Sequence, residues 1–218
     1  MSSSSSSSSG VAHPEPELEL WIVRHGETDW NQRGIIQGQS ESTLSELGAS
    51  QAVLVADALA GRSWWRIVSS DLGRCRQTTQ LILTPAPPDD ADGGSSAAGS
   101  SDDESEEGAD ASSEEQVLRV GPHTVRLDTR LREMSAGIYE GLPRGTAFKK
   151  AVKIKADEAG VSVEAFTARG GVHVHEDPAQ FRARAAAFLG WAEGEYLREL
   201  SDRKDLRAYL PTRAPSFF

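Results

Sequence analysis

Leu18, Leu20, Trp21, Ile22 and Val23 form a short apolar run that stops at Arg24-His25-Gly26. That pattern predicts a buried strand delivering the chain into a loop. Apolar side chains then recur at helical spacing through Leu47, Ala52, Val55, Ala56 and Leu59, with Ser45 as a cap in front and Gly61 as a stop behind, which predicts a helix. Trp65, Ile67 and Val68 predict the next strand. Leu72, Cys75, Thr79, Leu81 and Ile82 predict a second helix, capped from Ser70-Asp71 and halted by Pro85. Strand and helix alternating at this pace predict βαβ units on a largely parallel sheet. Further along, Val125 and Leu127 read as a strand and residues 147–158 as a helix. A long helix is expected from Pro178 to about Leu200, where Phe181, Ala185, Phe188, Leu189, Trp191, Ala192 and Leu197 are apolar. Pro178 suits a first helical turn, because its missing N–H would be unsatisfied there in any case.

Two stretches break the pattern. Residues 2–9 are all serine, and residues 1–16 hold no apolar face to offset the entropy of ordering, so disorder is expected. Residues 86–116 carry eleven acidic side chains and no basic one, among serines and glycines, and cannot bury a core. The expected organisation is one α/β domain over 17–200, interrupted by that acidic insert, with a tail at 201–218. The tracts also explain the composition. The chain has 218 residues of which 38 % are hydrophobic, and its formal net charge is −10. Without 86–116, 22 acidic residues face 23 basic ones, so the folded remainder is nearly neutral. A nucleic-acid binder needs a basic body, so no nucleic-acid partner is expected. Cys75 is the single cysteine, which excludes an internal disulfide and a thiolate metal cluster. No apolar run approaches the ~20 residues of a membrane helix, and the first ten residues lack the basic and apolar regions of a signal peptide. The expectation is a cytoplasmic protein, a nuclear location being compatible, with no membrane partner.

The candidate chemistry sits where strands end. In parallel α/β sheets, ligands bind in the crevice beyond the carboxyl ends of the strands. His25 lies just past the first predicted strand, between Arg24 and Gly26. Arg24 offers a planar fork suited to phosphate oxygens. Asn31 and Gln37 follow with neutral donors, and Arg74 follows the second predicted strand toward the same sheet edge. Two arginines, a histidine and amides make a phosphate pocket. Competing roles stay open: Asn31 as a turn cap, Glu133 in an ion pair with Arg130 or Arg132, and Arg74 as an ordinary helix arginine. Lys149, Lys150, Lys153 and Lys155 read as a solvated helix face. His173 and His175 read as turn or helix-entry residues.

Arg24-His25-Gly26-Glu27-Thr28 with Asn31 resembles the signature of the histidine phosphatase superfamily, also called phosphoglycerate mutase-like. Ser70-Asp71-Leu72-Gly73-Arg74-Cys75-Arg76-Gln77-Thr78 is similar to its second motif. Leu131-Arg132-Glu133, with Gly137 and Glu140-Gly141 behind it, is similar to its third. Ile35-Ile36-Gln37-Gly38-Gln39, followed by Leu44-Ser45, resembles TIGAR-type fructose-2,6-bisphosphatases. The resemblance implies a three-layer α/β/α sandwich with a mostly parallel sheet. It implies a phosphatase acting on small phosphorylated metabolites through a phosphohistidine. His25 matches the nucleophile, Glu133 the general acid and base, and Arg24 and Arg74 the phosphoryl-binding arginines, with Asn31 and Gln37 beside them. No metal and no cofactor is implied, since the arginines supply the positive charge. The family's second catalytic histidine, which normally follows a late strand, has no match, as no histidine occurs after His175. The C-terminal strand and helix are therefore expected to be missing. A truncated or catalytically impaired relative, which binds phosphoesters or protein partners without efficient turnover, is the alternative expectation.

Overall fold

A computed structural model of the chain describes residues 18–84, 116–173 and 175–202. The serine-rich start, the acidic insert as far as residue 115 and the tail beyond residue 202 lie outside the described residues, so the disorder expected there is not addressed. The chain divides into two compact units. Val23–Ala185 forms one; the described parts of Met1–Ile22 and Ala186–Phe218 form the other.

The unit Val23–Ala185 is built on a small sheet of three strands, β1 (Ile67–Ser69), β2 (Val117–Val120) and β3 (His123–Leu127), in the order β1-β3-β2. β1 runs parallel to β3, with Ile67 opposite Val125 and Ser69 opposite Leu127. β2 runs antiparallel to β3, with Val120 opposite His123. The sheet is therefore mixed, where a mostly parallel sheet was expected. The reason lies in Gly121-Pro122, which the sequence reading passed over. Gly121 takes a left-handed φ of 53° and turns β2 straight back into β3 as a hairpin. Val125, fully buried, is the apolar anchor of β3.

The helices follow the apolar periodicity closely. α1 (Asp29–Gln32) is a single turn. α2 (Glu46–Leu59) is capped by Ser45, whose hydroxyl accepts the Gly48 N–H at 3.1 Å. α3 (Gly73–Leu83) begins later than expected. Its cap residue is Leu72, which has no side chain to offer, and the Glu41 carboxylate instead accepts the Gly73 N–H at 2.8 Å. An anion there also suits the positive end of the helix dipole. α4 (Phe148–Glu158) buries Ala151, Val152 and Ala156 and leaves Lys149, Lys150 and Lys153 exposed, the solvated face that its spacing predicts. Ala151 and Val152 pack with Ile138 and Leu142 in the core, flanked by Tyr139, Ile154, Phe166 and Val172. α5 (Val163–Ala168) is capped by Ser162. α6 (Pro178–Asp202) starts in this unit with Pro178 in its first turn.

In the other unit, Phe188 and Trp191 of α6 stack obliquely at 5.6 Å, and Ala192 and Leu200 are buried. The run at its start departs from expectation. No strand forms over residues 18–23, and Leu20, Trp21 and Ile22 are exposed, Ile22 by 90 %. An apolar run becomes a strand only when its backbone groups are taken up in a ladder, and none is formed there. Among the described residues, no helix is long and apolar enough to cross a membrane.

Candidate active site

Because β1 and β3 are parallel, their carboxyl ends leave the sheet at one edge. The segment after β1 carries Asp71 and Arg74; the segment after β3 carries Arg130, Arg132 and Glu133. The two are tied at once. Asp128 donates its N–H to the Ser69 carbonyl at 2.8 Å. Arg132 then grips the Asp71 carboxylate, its Nε at 2.8 and 3.1 Å from the two oxygens and its Nη2 closing the fork. The Arg132 bond, ahead of every other influence, holds the Asp71 carboxyl below its usual range.

The turn at residues 24–28 is held by backbone contacts with the start of α2 and by a side-chain hydroxyl of α3. Ser45 donates its N–H to the Glu27 carbonyl at 2.9 Å. Gly26 and Gly48 then meet backbone to backbone. A Cβ on Gly48 would lie 1.9 Å from the Glu27 oxygen, and one on Gly26 would lie 2.3 Å from the Gly48 oxygen. On the other side, the Gly26 N–H donates to the Thr78 hydroxyl at 3.1 Å, and that hydroxyl donates to the Arg74 carbonyl at 2.8 Å.

His25 is half-buried at this turn. Its Nδ1 lies 2.8 Å from the Gly26 carbonyl oxygen. A carbonyl only accepts, so Nδ1 carries the proton and, in the neutral ring, Nε2 keeps its lone pair. Burial, the largest influence, pushes the imidazole pKa below the ordinary 6.5. The Gly26 bond and the Glu133 charge oppose this, while Arg74 and Arg24 add to it. Arg74, Arg24 and Glu133 are thus all within electrostatic reach of the imidazole.

Arg74 is 1 % exposed. Its guanidinium donates to the Gly38 carbonyl at 2.7 Å and the Ser40 carbonyl at 3.0 Å. Its buried Nε has no hydrogen-bond partner among the described residues. It is therefore not an ordinary exposed helix arginine. Arg24 is exposed, and Glu133 is exposed with its Oε1 accepting the Met134 N–H at 3.2 Å. Among the described residues Arg130 pairs with Asp128 and Arg132 with Asp71, and the competing ion pair of either with Glu133 is not formed.

The two amides are engaged locally. Asn31 Oδ1 accepts both the N–H and the hydroxyl of Thr28 at 3.1 and 3.0 Å, which makes Asn31 one half of a capping box around α1. Gln37 Oε1 accepts the Ser42 hydroxyl at 2.5 Å and lies 3.0 Å from the Thr28 hydroxyl oxygen. In each case the amide oxygen is the engaged end.

Several residues that shape the site had no role assigned from the sequence. Glu140 accepts from the Gln39 N–H, the Ser40 hydroxyl, the Ser135 hydroxyl and the Ala136 N–H. Burial pushes its pKa up most, yet these four donors together hold it below the usual carboxylate value. Glu140 thereby orders the 38–40 loop whose carbonyls receive Arg74. Thr78 stood in the second motif without a role of its own, and Glu41, Glu176 and Arg184 lacked a signal, because each acts through backbone groups far away in sequence. Burial pushes the Cys75 thiol pKa up, which disfavours the thiolate. His173 gives its carbonyl to the Ile138 N–H at 2.7 Å, and His175 bonds the Glu176 carbonyl at 3.1 Å, the turn roles expected of both.

The family model of the histidine phosphatase superfamily (branch 1) matches residues 20–90. That stretch contains Arg24, His25, Asn31, Gln37 and Arg74 and ends before Glu133. Among curated proteins, "Probable phosphoglycerate mutase GpmB" of Yersinia pestis (strain Pestoides F) is 51 % identical over 65 residues, 30 % of this chain and 30 % of that protein. Its counterpart in Yersinia pseudotuberculosis serotype O:3 (strain YPIII) matches to the same extent. The match thus spans about a third of the length of these relatives. Among solved structures, mycobacterial glucosyl-3-phosphoglycerate phosphatase in complex with VO3 aligns at a TM-score of 0.45 and 26 % identity, over 86 % of this chain and 69 % of that one. The alpha-ribazole phosphatase from Shigella flexneri aligns at a TM-score of 0.46 and 20 % identity, over 80 % and 67 % of the two chains.

Proposed function

We propose that this chain is a phosphoric monoester hydrolase that works through a phosphohistidine on His25. The observation that carries the reading is the state of that ring. Its proton is held on Nδ1 by the Gly26 carbonyl, and its pKa is pushed down, so a lone pair stands on Nε2 near neutral pH. The lone pair forms the N–P bond while the P–O bond to the leaving group breaks. Glu133 in its acid form gives the leaving oxygen its proton. As carboxylate it then takes a proton from water, whose oxygen attacks phosphorus and breaks the P–N bond. Arg24 and Arg74 neutralise the equatorial oxygens through both steps, with the Asn31 and Gln37 amide nitrogens as further donors.

The substrate class in this reading is a small phosphorylated metabolite. The TIGAR-like run at 35–39 extends the proposal to sugar bisphosphates of the fructose-2,6-bisphosphate kind, in a cytoplasmic setting. The likeness of one segment to a phosphoglycerate mutase favours a second outcome, in which the phosphoryl group passes to a substrate hydroxyl instead of water. Hydrolysis of p-nitrophenyl phosphate, with His25→Ala as control, tests the reading. Activity that survives His25→Ala overturns it. Labelled product from an added acceptor alcohol, in place of free phosphate, selects transfer over hydrolysis.

A further inference from the structure

Arg184, in the second turn of α6, uses every donor it has. Nε donates to Glu176 Oε1 at 2.7 Å, and Nη2 donates to Glu176 Oε2 at 2.8 Å. Nη1 donates to the carbonyls of Arg130 and Arg132 at 2.9 and 2.6 Å. The second Nη2 hydrogen goes to the carbonyl of Glu133 at 2.9 Å. A guanidinium has five N–H donors, and all are spent on one carboxylate and three consecutive-loop carbonyls. The group is mostly buried and lies 4.7 Å over the Phe181 ring. Glu176 adds two stitches of its own, its N–H to the Ser135 carbonyl at 2.9 Å and its Oε2 accepting the Ser135 N–H at 3.3 Å.

None of these bonds reaches the Glu133 side chain. They fix its backbone from 130 to 135, while Arg132 and Asp71 fix the same segment from the β1 side. An exposed carboxylate on a short loop otherwise samples many positions, and a general acid must lie within hydrogen-bond reach of one oxygen. We infer that Arg184, oriented by Glu176, is the positioning residue that aims the Glu133 carboxyl at the leaving group. The inference rests on the phosphohistidine reading above. Lysine cannot take the role, because a point charge with three donors cannot meet one carboxylate and three carbonyls in fixed directions.

A double-mutant cycle with two substrates tests it on the full chain. An alkyl monoester such as glycerol 3-phosphate needs its leaving oxygen protonated; p-nitrophenyl phosphate needs this far less. Arg184→Met is expected to lower kcat on the alkyl ester about 10–100-fold, a sizeable part of a general acid's usual contribution. The loss on the aryl ester is expected to be at least several-fold smaller, with inorganic phosphate affinity little changed. In a Glu133→Gln background, Arg184→Met adds little further loss, because it acts only through Glu133. Arg184→Lys fails to restore the alkyl-ester rate. Equal losses on both esters, or full additivity with Glu133→Gln, overturn the inference. Hydrogen exchange gives a readout independent of turnover: Arg184→Met and Glu176→Gln should speed exchange at residues 130–136 and leave α2 unchanged. Unchanged exchange at 130–136 also overturns it. If the wild type shows no His25-dependent turnover, the proposed function fails first, and the inferred role falls with it even where the exchange result stands.

Discussion

Gly26 and Thr78, 52 positions apart, share one hydrogen bond that joins the turn carrying His25 to the helix α3. The Thr78 hydroxyl accepts the buried Gly26 N–H and passes its own hydrogen to the Arg74 carbonyl, so the turn that holds His25 is bonded to the helix that holds Arg74. Thr78→Val keeps the shape and removes the acceptor. The stranded N–H costs about 1–3 kcal/mol. Urea titration should show that loss, and Thr78→Ser should recover most of it.

Gly48→Ala is expected to be more disruptive than its size suggests. The new methyl would sit against the Glu27 carbonyl, which is backbone and cannot swing away. Overpacking of this kind costs typically ~1–3 kcal/mol. The relief available is for α2 to back off the 24–28 turn. Lower thermal stability should therefore come with weaker phosphate binding. A variant that keeps both contradicts the close approach.

The acid limb of kcat/KM should fall below pH 6.5. His25 is held below that value by burial first and by Arg74 and Arg24 beyond it, and only the neutral ring attacks. The sign for stability is the same. The unfolded chain binds the proton more readily than the folded one, so the contribution is present above about 6.5 and is lost as pH falls through the folded value. Arg24→Gln removes one lowering charge and should move the limb upward. A limb that moves down, or does not move, contradicts the arrangement.

Asp71→Asn should destabilise the unit by about 1–2 kcal/mol at neutral pH, since Arg132 is only partly buried and solvent screens the pair. Asp71 has a lowered carboxyl pKa, so its contribution is present above its ordinary 3.8 and fades as pH drops through the folded value. Melting curves of the wild type and variant should therefore converge in strong acid.

What the sequence disclosed was the part carried by local pattern. α2 and α3 appeared within a few residues of their expected bounds because cap, apolar spacing and stop agree there. Arg74 could be named because it follows a strand that forms, and His25 and Glu133 because they stand in short motifs that resemble a known family. The run at 18–23 misled, since strand formation depends on a neighbour that periodicity does not reveal. β2 escaped because Gly121-Pro122 reads equally as loop. Glu140 was marked only as part of a motif and Arg184 escaped altogether, because most of the groups they bind lie on loops distant in sequence, and nothing in a side-chain pattern marks a backbone group as a partner.

The central claim is tested most directly by covalent trapping. The protein is mixed with a monoester carrying a labelled phosphoryl group, quenched in base and digested. The account predicts an acid-labile, alkali-stable label on the peptide that contains His25, and none in His25→Ala. Turnover that leaves no label there, or a label on any other residue, would contradict it.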